Sequence, residues 1–116
     1  MRGIDLYHLA TALKNGIDSS SQDAEAKLRT VINRAYYGAF IEARDQAKIR
    51  DSGVGVHASV RNYYLGSNNK AIGNRLKDLH DRRTSSDYNM TLSPSGRDAG
   101  ESLRLSKEIL KGLGIL

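Results

Sequence analysis

Apolar residues recur along most of the chain at the spacing of an amphipathic helix, and the alternation typical of strands is almost absent. The clearest pattern lies in the second quarter of the sequence, where apolar positions follow the i, i+3, i+4, i+7 rule over several turns. One long helix with a continuous buried face is therefore predicted there. Its apolar positions are Leu28, Val31, Ile32, Ala35, Tyr36, Ala39, Phe40 and Ala43.

Four shorter helical patterns surround this helix. The first stops at Gly16 and the third at Gly66, since glycine commonly ends a helix. The segment MTLSPSG, residues 90–96, separates the fourth pattern from the last, with Ser93 as the predicted N-cap and Pro94 at the first helical position. The apolar positions of these helices are Leu6, Leu9, Ala10 and Leu13; Val56, Val60, Tyr63 and Tyr64; Ile72, Leu76 and Leu79; and Ala99, Leu103, Ile109, Leu110 and Leu113.

Five amphipathic helices with short connections predict an all-α fold, an up-and-down bundle of four to five helices in one domain over residues 1–116. The absence of cysteine excludes disulfides and cysteine-ligated zinc. The three histidines match no metal-ligand spacing, so no metal or other cofactor is predicted. No apolar run reaches the roughly 20 residues that span a bilayer, and the N-terminus has no hydrophobic signal core. A cytoplasmic protein without a membrane segment is expected.

The segment NRAYYGAF, residues 33–40, concentrates aromatic residues in a chain that is otherwise poor in them. Two interpretations compete: a stacking platform for bases, or the buried face of a helix. Tyr36 and Phe40 fall in the middle of the apolar stripe, so they are predicted to pack in the core. Arg34 and Tyr37 flank the stripe, where they would either contact a partner or lie at the edge of the core.

The fourth helix carries the most unusual polar pattern. At about 100° per residue, Arg83 falls in the centre of the stripe formed by the apolar residues of this helix, where a charge is costly unless it is paired. Asp87 lies four residues further on, at the spacing of an ion pair, and His80 lies on the same side. This ladder is either a buried structural pair or a polar cleft in which Arg83 contacts phosphate.

The charge of the chain is concentrated in the same region. The net charge is +5. Clustered basic residues are typical of surfaces that contact phosphate, although many solvated helix faces have the same composition. Residues 61–83 hold Arg61, Lys70, Arg75, Lys77, Arg82 and Arg83, against only Asp78 and Asp81.

The helix carrying RAYYGAF, residues 34–40, and the later segment LHDRRTSSDYNM, residues 79–90, together resemble the HEPN family (higher eukaryotes and prokaryotes nucleotide-binding domain). The resemblance covers about residues 24–113 and includes a histidine near the start of the next helix, His57. The residues that match the second motif of the family are Leu79, Arg83, Asp87 and Tyr88, with Ser86 in place of alanine.

This resemblance implies a helical bundle that forms a homodimer and acts with a minimal nucleotidyltransferase as its partner protein. Many members are RNases in toxin–antitoxin or phage-defence systems, with an active site built from an arginine that is followed by four to six residues and then a histidine, brought together across a dimer. The chain departs from that pattern because no histidine follows Arg83, and Tyr88 occupies the fifth position. Arg75 and His80 have the required spacing, but they lie roughly 140° apart on a regular helix and ahead of the family's position, so we interpret the match as chance.

Three functions remain open from the sequence: a module that binds RNA or a nucleotide, a metal-independent RNase, and a structural module for protein–protein interaction. The predicted binding residues are Arg34, Tyr37, Arg75, Lys77, Arg82 and Arg83. The predicted catalytic residues of an RNase are His80, Arg83, Asp87 and Tyr88, with Arg83 stabilising the transferring phosphoryl group and His80 or Tyr88 replacing the missing histidine.

Overall fold

The long amphipathic helix predicted from the apolar stripe is the centre of the fold. A computed structural model describes residues 1–51, 53–89 and 93–116. Within these residues the chain is all-helical, which confirms the predicted all-α bundle. The helices are α1 Gly3–Asn15, α2 Ala24–Ala47, α3 Val56–Leu65, α4 Lys70–Tyr88 and α5 Gly96–Gly112.

Helix α2 packs against all four other helices. Its predicted stripe is buried along its whole length, and Tyr36 and Phe40 are only 2% and 4% exposed. The C-terminal half of α2 packs with α3, α4 and α5, and its N-terminal half packs with α1 and the start of α5; the first residues of α1 also reach Gly38 and Glu42 in the C-terminal half. The interpretation of these two aromatic residues as core residues is therefore confirmed.

Helix α1 crosses α2 at very short range because glycines meet at the crossing. A Cβ added to Gly38 would lie 2.9 Å from the carbonyl oxygen of Gly3, so neither position has room for a side chain. Beside this contact the buried carboxylate of Glu42 accepts a hydrogen bond of 2.7 Å from the backbone N–H of Ile4. A carboxylate is favourable at this helix N-terminus, and the contact holds α1 against the face of α2 that carries Arg34 and Tyr37.

The start of α5 differs from its prediction. Ser95, not Ser93, is the N-cap, and Pro94 precedes the helix instead of occupying its first position. Ser95 Oγ accepts a hydrogen bond from the N–H of Asp98, whose carboxylate accepts one from the N–H of Ser95. This reciprocal capping box satisfies two backbone donors. Its stabilising effect outweighs the preference of proline for the first helical position, and it therefore determines where the helix begins. Met90, Thr91 and Leu92 of the predicted break lie outside the described residues.

Candidate functional site

The ion pair predicted on α4 is present and is tied to α2. Arg83 Nε donates to Asp87 Oδ2 over 2.9 Å, and the two side chains are only 14% and 21% exposed. Asn33 Nδ2, from α2, donates to the same carboxylate oxygen over 3.0 Å. Asp87 therefore has two hydrogen-bond donors from two helices, which holds the guanidinium of Arg83 in one orientation at the junction of α2 and α4.

Two aromatic rings lie against this guanidinium. Its central carbon is 5.2 Å from the centre of the Tyr37 ring and 5.5 Å from the centre of the Tyr88 ring, both within the range of a cation–π interaction. Arg83 Nη2 also approaches the hydroxyl oxygen of Tyr88 at 3.4 Å. Tyr88 is the last residue of α4 and is 71% exposed, so this ring lies between Arg83 and solvent at the end of the helix.

A second guanidinium meets the first in one open pocket of about 620 Å³. Arg34 Nη1 donates to Asn33 Oδ1 over 2.5 Å, and among the described residues no carboxylate forms an ion pair with Arg34. We call this site the arginine pocket. It is lined by the polar side chains of Asn33, Arg34, Tyr37 and Arg83 and by the apolar side chains of Met1, Leu6, Leu9 and Ile41.

Two histidines from different helices lie near Tyr37, one of the lining residues of the arginine pocket. The rings of His57, from α3, and His80, from α4, have centres 5.3 Å apart, and the His57 ring is 6.0 Å from that of Tyr37. His57 also stacks on Phe40 at 4.5 Å. We call His57 and His80 the histidine pair. The buried aromatic rings of α2 pack against both imidazoles. The aromatic segment NRAYYGAF therefore belongs to the core and also borders the histidine pair.

The charge state of His57 follows from its surroundings. Burial lowers the pKa of the His57 imidazole, and the nearby His80 and Arg83 lower it further because they disfavour a second positive charge. Tyr36 Oη lies 2.5 Å from His57 Nδ1, and burial raises the pKa of the Tyr36 hydroxyl above its ordinary value. The Tyr36 hydroxyl therefore stays protonated, and its hydrogen bond with Nδ1 fixes the orientation of the His57 ring.

The remaining predicted residues do not all join this cluster. Arg82 faces another side of α4, where its Nε donates to Asp78 over 2.8 Å. In the described part of the chain, no hydrogen bond, ion pair or cation–π contact joins Arg75 or Lys77 to the arginine pocket or the histidine pair. The predicted residues that the structure does bring together are Arg34, Tyr37, His80, Arg83, Asp87 and Tyr88.

Three contributors were not among the site residues predicted from the sequence. Asn33 precedes Arg34 directly, but nothing in the spacing indicates that it binds Asp87, which is 54 residues away. The apolar stripe predicts only a core position for Tyr36, although its hydroxyl reaches His57. His57 is indicated only by the family resemblance. The one signal for Asn33 in the sequence is its position beside the buried stripe and directly before Arg34.

In comparisons with known proteins, no family model, curated protein or solved structure matches the chain. Within the described ranges no group of three histidine, aspartate or glutamate side chains is placed to hold a metal ion. No helix among the described residues is long and apolar enough to cross a membrane.

Proposed function

We propose that the protein binds RNA or a nucleotide in the arginine pocket, as a HEPN-type module. The observation that carries this proposal is that Arg34, Arg83 and the Tyr37 ring line the same open pocket. Guanidinium groups bind phosphate oxygens through paired N–H donors, and an aromatic ring beside them offers a face on which a base stacks.

The described contacts leave donors for a ligand. Arg83 uses Nε for Asp87 and Nη2 for Tyr88, and no hydrogen bond to a described residue engages its Nη1. Arg34 uses only Nη1, for Asn33. Because Asp87 engages only Nε of Arg83, one phosphate between the two arginines would receive donors from α2 and from α4.

A second candidate, a metal-independent RNase, is favoured by the histidine pair. General acid–base cleavage needs one group that accepts a proton and one that donates it, and two adjacent imidazoles from different helices serve both purposes. His57 is the candidate base, because its lowered pKa keeps it neutral, and His80 is the candidate acid. Arg83 would stabilise the charge of the phosphoryl group. This arrangement supplies from α3 the imidazole that is missing after Arg83.

Binding and cleavage are separated by one set of measurements. Purified protein is mixed with a fluorescent single-stranded RNA and with tRNA in EDTA, and anisotropy and gel electrophoresis follow binding and cleavage. Under the binding proposal Arg34→Ala weakens RNA binding, whereas Lys77→Ala, which removes the same charge from an exposed position of α4, has a smaller effect. Equal effects of the two substitutions would argue against the arginine pocket.

For the RNase candidate, the wild type cleaves RNA in EDTA, and both His57→Gln and His80→Gln abolish cleavage while RNA binding remains. Thermal unfolding shows whether each variant is folded. An absence of cleavage by the wild type, with RNA binding intact, would leave the protein as a binding module. Cleavage that persists in both folded variants would exclude the histidine pair as its catalyst.

We further propose that the protein forms a homodimer and acts with a minimal nucleotidyltransferase partner in a toxin–antitoxin or defence setting. Support comes from the family resemblance and from apolar side chains at the edge of the arginine pocket, where Met1 and Leu9 are 94% and 52% exposed. Sedimentation of the wild type beside Leu9→Glu tests the dimer. A monomeric wild type, or a dimer that is unchanged by Leu9→Glu, would contradict this surface as the interface.

A further inference from the structure

A second pocket, of about 380 Å³, lies on the other side of α4, against the start of α5. We call it the serine pocket. It shares no described lining residue with the arginine pocket. Its apolar lining contains Ile32 and Pro94, and its polar lining includes Asp78, Asp81, Arg82, Ser86, Asp98 and Ser102.

Two hydroxyl groups in this pocket have no hydrogen-bond partner among the described residues. Ser86 is 6% exposed and Ser102 is fully buried, and both Oγ atoms are without a partner. Buried polar groups are nearly always paired, because an unpaired one loses its hydrogen bonds to water without replacement. Ser106, on the same helix as Ser102, follows this rule, since its hydroxyl donates to the carbonyl of Ala35 over 2.8 Å.

The charge at the mouth of the pocket selects the kind of ligand. Three carboxylates and one guanidinium line it, and Arg82 is already paired with Asp78. Asp81 is 66% exposed at its side chain, and the capping hydrogen bonds of Asp98 engage only its Oδ2. Two carboxylates therefore retain oxygen atoms that accept hydrogen bonds. An anion would be repelled by this mouth, whereas a cation with several N–H donors is attracted by it.

We propose that the serine pocket binds a small organic cation, with a guanidinium or ammonium head and a short apolar body. The head donates to the carboxylates of Asp81 and Asp98 and to the hydroxyls of Ser86 and Ser102, and the body packs against Ile32. The bound cation thus forms hydrogen bonds with the two unpaired hydroxyls and contacts both the acidic and the apolar side chains of the pocket. This combination is typical of small-molecule sites.

The test uses butylguanidine as the ligand and butylurea as its uncharged counterpart of nearly the same shape. Backbone amide NMR spectra of the full chain are recorded during titration with each. We expect butylguanidine to bind in the millimolar range usual for so small a ligand, with shifts at Ser86 and Ser102, and butylurea to bind at least about tenfold more weakly. Equal binding of the two, shifts confined to other parts of the chain, or no saturable shift would overturn the proposal.

Variants test the residues themselves. Ser102→Ala is expected to weaken butylguanidine binding about fivefold without lowering the unfolding temperature, because it removes a hydroxyl that has no partner in the free protein. Asp81→Asn should also weaken binding, whereas Asp45→Asn, a similarly exposed aspartate on α2, should not. Unchanged binding in both Ser102→Ala and Asp81→Asn would place the ligand elsewhere and refute the site.

Discussion

Replacement of Arg83 by alanine tests whether this arginine binds a ligand or only stabilises the helical bundle. The substitution removes an ion pair with Asp87, two cation–π contacts and the charge that we expect to contact phosphate. If the arginine pocket binds RNA, the variant should lose affinity and also respond less to salt. If Arg83 only holds the bundle together, the variant should lose stability alone.

The stability cost follows from the partners that remain. Asp87 keeps the hydrogen bond from Asn33 and is 21% exposed, so it is neither fully buried nor left without a donor. We therefore expect a loss of about 1–2 kcal/mol, below the 3–5 kcal/mol typical of breaking a fully buried pair. For a chain of 116 residues, each kcal/mol corresponds to about 4 °C in the unfolding temperature. The variant should remain folded at 25 °C, at which binding is measured.

The effect on binding is read from the salt dependence. Each phosphate contact with single-stranded nucleic acid contributes about 0.7 to the slope of log affinity against log salt concentration. Arg83→Ala should reduce the slope by about that amount. Arg104→Ala is the matched control, because it removes the same charge from α5, where Arg104 is 56% exposed and paired with Glu101. We expect a smaller change from the control.

The assay is fluorescence anisotropy of a labelled single-stranded RNA at several salt concentrations, with thermal unfolding of each variant alongside. An unchanged affinity and slope in Arg83→Ala, together with the expected loss of stability, would refute the phosphate contact and support the structural module. Equal losses of affinity in Arg83→Ala and Arg104→Ala would show that binding depends on the overall charge of the protein and not on the arginine pocket.

Three further predictions concern the scaffold of the site. Gly38→Ala should destabilise the protein by about 2 kcal/mol in chemical denaturation, because the new Cβ would lie 2.9 Å from a backbone oxygen of α1. Tyr64→Phe should cost about 1 kcal/mol, since its buried hydroxyl donates to the carbonyl of Ala43 over 2.7 Å. Because folding lowers the pKa of His57, this imidazole binds a proton more readily in the unfolded chain than in the folded protein. The stability that neutral His57 contributes is therefore present above about pH 6.5 and is lost as the pH falls through its lower folded-state pKa.

Each of these has its own control. Gly100→Ala, on α5, meets no atom within 4 Å, so it should stabilise the protein by about 0.5–1 kcal/mol, and a destabilisation as large as that of Gly38→Ala would contradict the close crossing. Tyr63→Phe, at an exposed neighbouring tyrosine, should be nearly neutral in the same assay. Denaturation between pH 5 and 8 tests His57. A His57→Gln variant with the full acid dependence of the wild type would contradict its assignment.

Much of the fold was predictable because helical periodicity is a local property. The apolar stripe on α2 and its burial follow from the spacing of eight residues, and the Arg83–Asp87 pair follows from the four-residue separation on α4. The start of α5 was predicted two residues early, although the region was right. A preference for proline at the first helical position competes there with a capping box, and the sequence pattern alone did not show which would dominate.

The arrangement of the candidate site depends on contacts between helices. No spacing indicates that Asn33 binds Asp87, that His57 lies beside His80, or that Arg82 and Arg83 face different sides of the bundle. Neighbouring residues on a helix differ by about 100°, so the packing of α2 and α5 against α4 decides which arginine enters which pocket. The sequence by itself determined the helices, the stripe and the ion pair, because these depend on neighbours within one turn. The tertiary structure decided which polar groups meet, because they come from helices far apart in the chain.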